Sequence, residues 1–402
     1  MRIGGAEAEA IEHARAAPMR AWTERWAAVN SGSRNLGGLA VVASMLADEF
    51  ANLPGKLALV AADPVEAIDD AGRAHEIAHG ASLHLSVRPD APVQILLTGH
   101  MDTVYGVDHA FQDVIETAPG TLRGPGVADM KGGLAVMLAA LRAVEGASGA
   151  ERIGYEVLIN ADEEVGSGGS APLIARAARG KAAALTYEPT LAPDGTLAGS
   201  RPGSGNFAIA VRGRSAHAGR NPEDGRNALV AAADLAIRLK AAANDALKIN
   251  PARIAGGGPN NVVPDFALLR VNLRPATPVD EGRARTLLDE VASAVARDHD
   301  VGVEVHGAFG RPPKPLTPES ERLFALVQAT GRDLGQEIGV RASGGVCDGN
   351  NIAACGVPVV DTMGVRGGAI HSEDEYLILD SLPERAALSA LTILRLAQGA
   401  CA

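Results

Sequence analysis

The sequence predicts an α/β fold, a mostly parallel-sheet domain interrupted by an inserted α+β unit. Three observations predict it. Over roughly the first 200 residues, short apolar runs alternate with helical patterns, the order of a parallel sheet with helices on its faces. From 204 to 312 the rhythm changes to a denser run of strands with two helices. Helix and strand alternation then resumes to the C-terminus, so the first domain is discontinuous, comprising 1–203 and 313–402, with 204–312 inserted.

In chain order, "VQILLTGH" (93–100) reads as a buried strand and "KGGLAVMLAALRAVEGA" (131–147) as a helix. "YEVLINA" (155–161) follows as a strand, then a helix near 170–179 and the strand "AAALTYE" (182–188). In such a βαβαβ sheet, ligands gather at the carboxyl ends of the strands. In the insert, strands are predicted at 206–213, 252–257, 266–274 and 301–307, with helices at 223–242 and 280–297. The Pro-rich "GRPPKPLTP" (310–318) reads as a linker.

Composition excludes several classes. The net charge of −11 argues against nucleic acid or an anionic membrane surface as partner. Aromatics are only 3% of a chain that is 47% hydrophobic, so the core must be built from Ala, Val, Leu and Ile. Three cysteines (Cys347, Cys355, Cys401) without a CxxC pair give neither a disulfide framework nor a cysteine-zinc site. The acid-bearing N-terminal pattern lacks the apolar core of a signal peptide and no stretch reaches the length of a membrane span, so a cytoplasmic protein is expected.

The chemistry-bearing residues collect at predicted strand ends. His100 ends "ILLTGH" with Asp102 two residues on, a spacing that serves equally as a polar strand end or as a ligand with its orienting carboxylate. Asp129 lies in "GPGVADMKGG" just before a helix, where a carboxylate is commonly only a cap. "NADEEVGSGGS" (160–170) places Asp162, Glu163 and Glu164 side by side, Glu188 follows in "YEPT", and His371 lies in "GGAIHSEDEY". Each is bland alone. Together, two His, one Asp and two or three Glu exceed the needs of one zinc and suit two divalent ions sharing a carboxylate, whose charge would offset the crowded acids. "HEIAH" (75–79) matches the HExxH pattern, but it lies between Gly72 and Gly80 and is followed by the strand-like "ASLHLSVRP", so a chance match on a strand or turn is expected. No serine occupies a GxSxG elbow, and Cys347 is read as an inert or site-lining thiol.

"GHMDTV", "GVADMKGG", "ADEEVGS", "YEPT", "SAHAG", "NVVPD" and "HSEDEY" occur in one order along nearly the whole chain. In that set it resembles the di-zinc amidohydrolases and exopeptidases that include glutamate carboxypeptidase, acetylornithine deacetylase, succinyl-diaminopimelate desuccinylase and aminoacylase. "GRPP" and "SGGVCDGNNIAACGVP" are most similar to the glutamate carboxypeptidase-like subgroup. The resemblance implies a zinc exopeptidase-like catalytic domain with an inserted dimerisation lid, and a homodimer. It implies that His100, Asp129 and Glu188 hold one ion, and that Glu164, His371 and the shared Asp129 hold the other. The ions are expected to be zinc, with cobalt or manganese as alternatives. Asp102 would orient His100, and Glu163 would be the general base on the water between the metals. His217 in "SAHAG" would reach the partner subunit's site to stabilise the oxyanion, while Asn261, Arg274 and Arg311 match lid positions that contact substrate or shape its pocket.

The substrate implied is an N-acyl amino acid or small peptide with a free C-terminal carboxylate, or alternatively the substrate of an acetylornithine deacetylase or aminoacylase-type deacylase. Two departures bear on specificity. Cys347 stands where relatives often carry Ser or Thr, and "LAPDGTLAGSRPGS" lacks the lysine expected of a strict glutamate carboxypeptidase. The competing readings are the HExxH mono-zinc peptidase and a non-catalytic metal- or peptide-binding protein on the same scaffold. An unligated acid such as Glu163 argues against the last.

Overall fold

Residues 3–400 are described in the computed structural model, and a six-stranded sheet orders most of them. Across this sheet the strands run Lys56–Val60, Ser82–Val87, Ile153–Asn160, Val93–His100, Ala183–Thr186 and Val359–Val360. The last four are mutually parallel, while Ser82–Val87 pairs antiparallel with both of its neighbours. The sheet is therefore mixed at one edge and parallel where the site forms.

The strands at its centre are apolar on both faces, as burial between two helical layers requires. On one face lies Gly132–Glu145, in which almost every side chain is buried, covered in turn by Gly5–Ala16, Met19–Ala27 and Ser381–Ala397. On the other lie Ala171–Ala178 and Asp348–Ala354, which close a smaller core around Leu96, Leu158 and Ile352. The helix Gly132–Glu145 approaches the sheet closely at its start. A Cβ on Gly133 would stand 2.0 Å from the Tyr187 carbonyl oxygen, so no side chain fits there.

The inserted unit forms its own antiparallel sheet, ordered Leu247–Gly256, Phe266–Pro275, Ser204–Arg212 and Gly302–Arg311. Alternation decides its faces. Phe207, Ile209, Val211, Leu269, Val271 and Leu273 pack against the helices Ala228–Ala241 and Pro278–His299, and the intervening side chains face the catalytic domain. Part of this second face is covered by a hairpin of the first domain, Val65–Ile68 with Ala74–Ile77, where Ile68 packs on Ala208, Ala210 and Leu268. Asp70 at its tip pairs with Arg253 and Arg270 of the lid sheet.

The predicted elements lie within a few residues of the observed ones, with two differences. The insert's first outer strand begins at Leu247 rather than 252, its pairing shifting register around Pro251, which masks the pattern. The stretch 310–318 is only in part a solvent-facing linker: 311–314 is largely buried, while Pro315, Leu316 and Pro318 are exposed. Gly310 and Arg311 end a strand, Pro318 starts a helix, and the intervening Lys314 is buried against Asp361 at 2.9 Å. A Pro-rich composition signals a loop, but here paired charges let its first half run through the interior. Cys347 is buried, Cys355 exposed, and neither is in a disulfide; Cys401 lies outside the described residues.

Candidate metal centre

Three adjacent parallel strands deliver the cluster. Val93–His100 ends on His100, Ile153–Asn160 leads into the turn bearing Glu163 and Glu164, and Ala183–Thr186 is followed two residues later by Glu188. Asp129 enters from an irregular turn, Val127–Lys131, ahead of the helix Gly132–Glu145. His371 comes from the C-terminal segment in left-handed backbone (φ 63°), a conformation that a side-chain-bearing residue adopts seldom.

Asp129 stands between the two histidines. His100 Nε2 lies 3.1 Å from Asp129 Oδ1, and His371 Nε2 lies 3.3 Å from Asp129 Oδ2. His100 Nε2 also faces Glu188 Oε2 at 3.6 Å, and His371 Nε2 faces Glu164 Oε2 at 3.2 Å. Donor atoms of His100, Asp129 and Glu164, and those of His100, Glu163 and Glu188, each lie within 4.8 Å of one another.

The electrostatics of this cluster call for positive charge. Burial, reinforced by neighbouring acids, pushes Glu188 up to about 8 and Glu164 up to about 7. Burial opposes ionisation of Asp129 as well, yet hydrogen bonds from His100 and His371 hold it below the ordinary carboxylate range. Donating to Asp129 and to Glu164 carries His371 up to about 11. Two imidazoles and three carboxylates of mixed nitrogen and oxygen character fit divalent cations of the zinc, cobalt or manganese type, which would neutralise this repulsion.

The sign of the pH effect follows. In the metal-free protein Glu188 is raised from 4.5 to about 8, so its ionisation penalises the fold as pH rises above 4.5 and fully above about 8. The stability that His371 contributes is full below 6.5 and is lost as pH rises through about 11. Both act in one direction. The metal-free protein should melt progressively lower as pH rises from about 5 to 9, and saturating zinc should recover about 5 °C or more at the alkaline end, as measured by thermal denaturation.

Surrounding groups hold these side chains in place. Asp102 is fully buried and joins the histidine to the Glu163–Glu164 turn. Its Oδ1 lies 3.4 Å from His100 Nδ1 and accepts from the Glu163 N–H at 3.1 Å, while Oδ2 accepts from the Glu164 N–H at 3.1 Å and from Ser33 Oγ at 2.7 Å. Asp162 closes the same turn from beneath, accepting from Gly169 and Ser170 N–H at 2.8 and 3.2 Å. Glu163 is buried, with Oε1 2.6 Å from Arg311 Nη2. Burial pushes Glu163 up to about 8 against the pull of Arg311 and His100. Arg311 also donates to Asp348 Oδ1 at 2.9 Å. It thus borders the cleft, as a pocket-shaping residue would, but its guanidinium is committed to the Glu163 turn.

Two supporting residues lie within "HSEDEY" and "GVADMKGG", but nothing in the sequence gives them a partner. Glu375 is buried and accepts from the backbone N–H groups of Gly126, Ala128 and Asp129, each at 3.0 Å, so it holds the Asp129 turn. Lys131 is buried with Nζ donating to Ser31 Oγ at 2.8 Å, amid the charges of Glu375, Asp102, Glu164 and Asp129; burial brings it down to about 8. Both partnerships appear only once distant parts of the chain are brought together. Cys347 is buried and burial pushes its thiol well up, consistent with an inert group.

The cluster opens on a cleft of about 1220 Å³ between the domains, lined by Glu163, Glu164, His371 and Arg311 on one side and by Ser204, Asn206, Asn272 and Arg274 on the other. His217 and Asn261 do not reach it within this chain. They meet each other instead on an exposed loop, the Ala218 N–H donating to the Asn261 carbonyl at 2.9 Å. The HExxH segment is not a metal site: His75 is exposed on the strand Ala74–Ile77, and His79 is buried 3.9 Å from Asp162.

A histidine–carboxylate cluster at parallel strand ends, roofed by an inserted sheet, is the architecture of a metal-dependent hydrolase. The model of peptidase family M20/M25/M40 matches residues 96–395, and the chain belongs to that family. Carboxypeptidase G2 of Pseudomonas sp. (strain RS-16) is 32% identical over 314 residues, 76% of this chain and 74% of that one. A succinyl-diaminopimelate desuccinylase of Verminephrobacter eiseniae (strain EF01-2) is 28% identical over 277 residues, 65% of this chain and 67% of that one. Among solved structures, an M20 family metallo-carboxypeptidase from Sulfolobus solfataricus shares the fold with a TM-score of 0.72 at 15% identity, covering 94% of this chain and 98% of that one.

Proposed function

We propose that this metallohydrolase uses two divalent ions, zinc foremost, to cleave the amide bond of N-acyl amino acids or small peptides with a free C-terminal carboxylate. The observation that carries the two-ion reading is Asp129, whose two oxygens face different histidines. His100 and Glu188 would complete one site, and His371 and Glu164 the other. Ions held there supply electrophilic charge and lower the pKa of water toward neutrality. Glu163 takes the proton of the attacking water and later passes it to the leaving amine, a role suited by a carboxyl brought near neutral pH. Arg311 fixes Glu163 for this, and Asp102 fixes both His100 and the Glu163–Glu164 turn. Arg274, on the facing wall of the cleft, receives the substrate carboxylate.

His217, with Asn261 beside it, would serve the site of a second protomer and stabilise the oxyanion there. A homodimer through the insert is supported by its outer edge strand Leu247–Gly256 and by exposed Val230 and Ile237 on the adjacent helix. If so, His217→Ala and Glu163→Ala proteins are each nearly inactive, but reassociated in equal amounts they regain about a quarter of parental activity, because half the dimers carry one complete site. A cytoplasmic location belongs to the same proposal; no helix among the described residues is long and apolar enough to cross a membrane.

The test of the reading is a screen of N-acyl amino acids and dipeptides with added zinc or cobalt, comparing C-terminal Glu, Asp and neutral residues. Hydrolysis of free-carboxylate substrates is expected. No hydrolysis of any substrate would overturn it.

A further inference from the structure

The wall of the cleft opposite the metal cluster is a sheet face with ordered rows of side chains. Register places Lys248 beside Arg274, and Asn272 between Asn250 and Asn206. These residues alternate with Ile249, Leu273 and Phe207, which are buried against the insert's helices, so the polar set faces the cleft that it lines.

The four strands of this sheet carry five arginines: Arg212, Arg253, Arg270, Arg274 and Arg311. Four have a carboxylate within ion-pair distance: Arg212 with Glu304, Arg253 and Arg270 with Asp70, and Arg311 with Glu163 and Asp348. Arg274 has none among the described residues. Its guanidinium is nevertheless fixed. Nε donates to Asn272 Oδ1 at 2.9 Å, and Nη1 donates to the Gly344 carbonyl at 3.0 Å. None of the described residues accepts from Nη2.

The orientation of the Asn272 amide is itself determined. Its Nδ2 donates to Asn206 Oδ1 at 2.8 Å, to Ser204 Oγ at 2.9 Å and to the Gly205 carbonyl at 3.2 Å, which leaves Oδ1 for Arg274. An aspartate here could accept the same Nε hydrogen bond and would also cancel the arginine's charge. An amide holds the guanidinium without neutralising it. Arg274 therefore carries an uncompensated charge and free N–H groups on the cleft wall, the arrangement that a carboxylate recognises.

We propose that Asn272 is a positioning residue that holds Arg274 in place and uncompensated, and that this neutral clamp sets the preference for substrates ending in a free carboxylate. The proposal rests on the amide-hydrolase reading for its substrate and on the lid geometry for its site.

The test uses the zinc-loaded protein with N-benzoylglycine and its C-terminal amide, binding being read by calorimetry and turnover separately. The parent should bind the acid more tightly than the amide. Asn272→Asp should weaken binding of the acid, and raise its KM, by about tenfold or more while leaving the amide and kcat little changed. Arg274→Gln should do the same, and adding Asn272→Asp to Arg274→Gln should have no further effect on the acid. Equal binding of acid and amide by the parent, or an unchanged acid preference in Asn272→Asp, would overturn the assignment. Equal losses for acid and amide, with a lowered melting temperature, would reveal a merely structural role and overturn it too. Preferential binding of the acid without turnover of either compound would sink the hydrolase reading while leaving the carboxylate site standing.

Discussion

Glu163→Ala should lower kcat by about 10²–10⁴-fold while both metal ions remain bound. The residue meets the cluster without standing between the two histidines, and its tie is to Arg311 at 2.6 Å rather than to an imidazole. Removing it leaves Arg311 its second partner, Asp348, so no buried cation is orphaned and the fold should persist. Turnover of an N-acyl amino acid together with metal content by elemental analysis checks both halves. Retained activity would remove Glu163 as the base; lost metal would make it a ligand instead.

Asp129→Ala should have the larger effect on metal. Its two oxygens serve two histidines, so its loss weakens both sites at once, by more than about 100-fold in affinity, and turnover falls with it. His371→Ala is the contrast: it removes a donor from one side only, leaving the pocket of His100, Asp129 and Glu188 intact. Titration of the metal-free proteins with zinc should show two sites in the parent, one tight site in His371→Ala, and none in Asp129→Ala.

The main outlines of the fold were legible because its central strands are short apolar runs that end in polar residues. That same feature exposed His100, Glu163, Glu164 and Glu188, since a strand end is where a buried parallel sheet first meets solvent. Asp129 and His371 were legible only in company, each being unremarkable as a cap or a loop histidine. The resemblance implied their partners; in the structure Asp129 lies 3.1 Å from His100 and 3.3 Å from His371.

What lay beyond reach was pairing across the chain. Arg311 and Glu163 are 148 positions apart, and no local pattern states that one will clamp the other. Glu375 looks like one more acid in an acidic loop until the Asp129 turn folds onto it. Lys314 sits in a segment whose prolines suggest solvent, and only Asp361 explains its burial. Asn272 reads as an ordinary polar position on an alternating strand; its neighbours across the sheet give it a direction. The three acids of "NADEEVGSGGS" separate in the same way, Asp162 closing the turn, Glu163 facing Arg311 and Glu164 facing His371.

On the proposed reading, Asp129 joins two ions in one centre. A crystal of the zinc-loaded protein, with anomalous scattering recorded on both sides of the zinc edge, tests it most directly. Two zinc peaks are expected, one between Asp129, His100 and Glu188 and one between Asp129, His371 and Glu164, with none near His75 or His79. A single peak in the cluster, or a peak at the HExxH segment with the cluster empty, would contradict it.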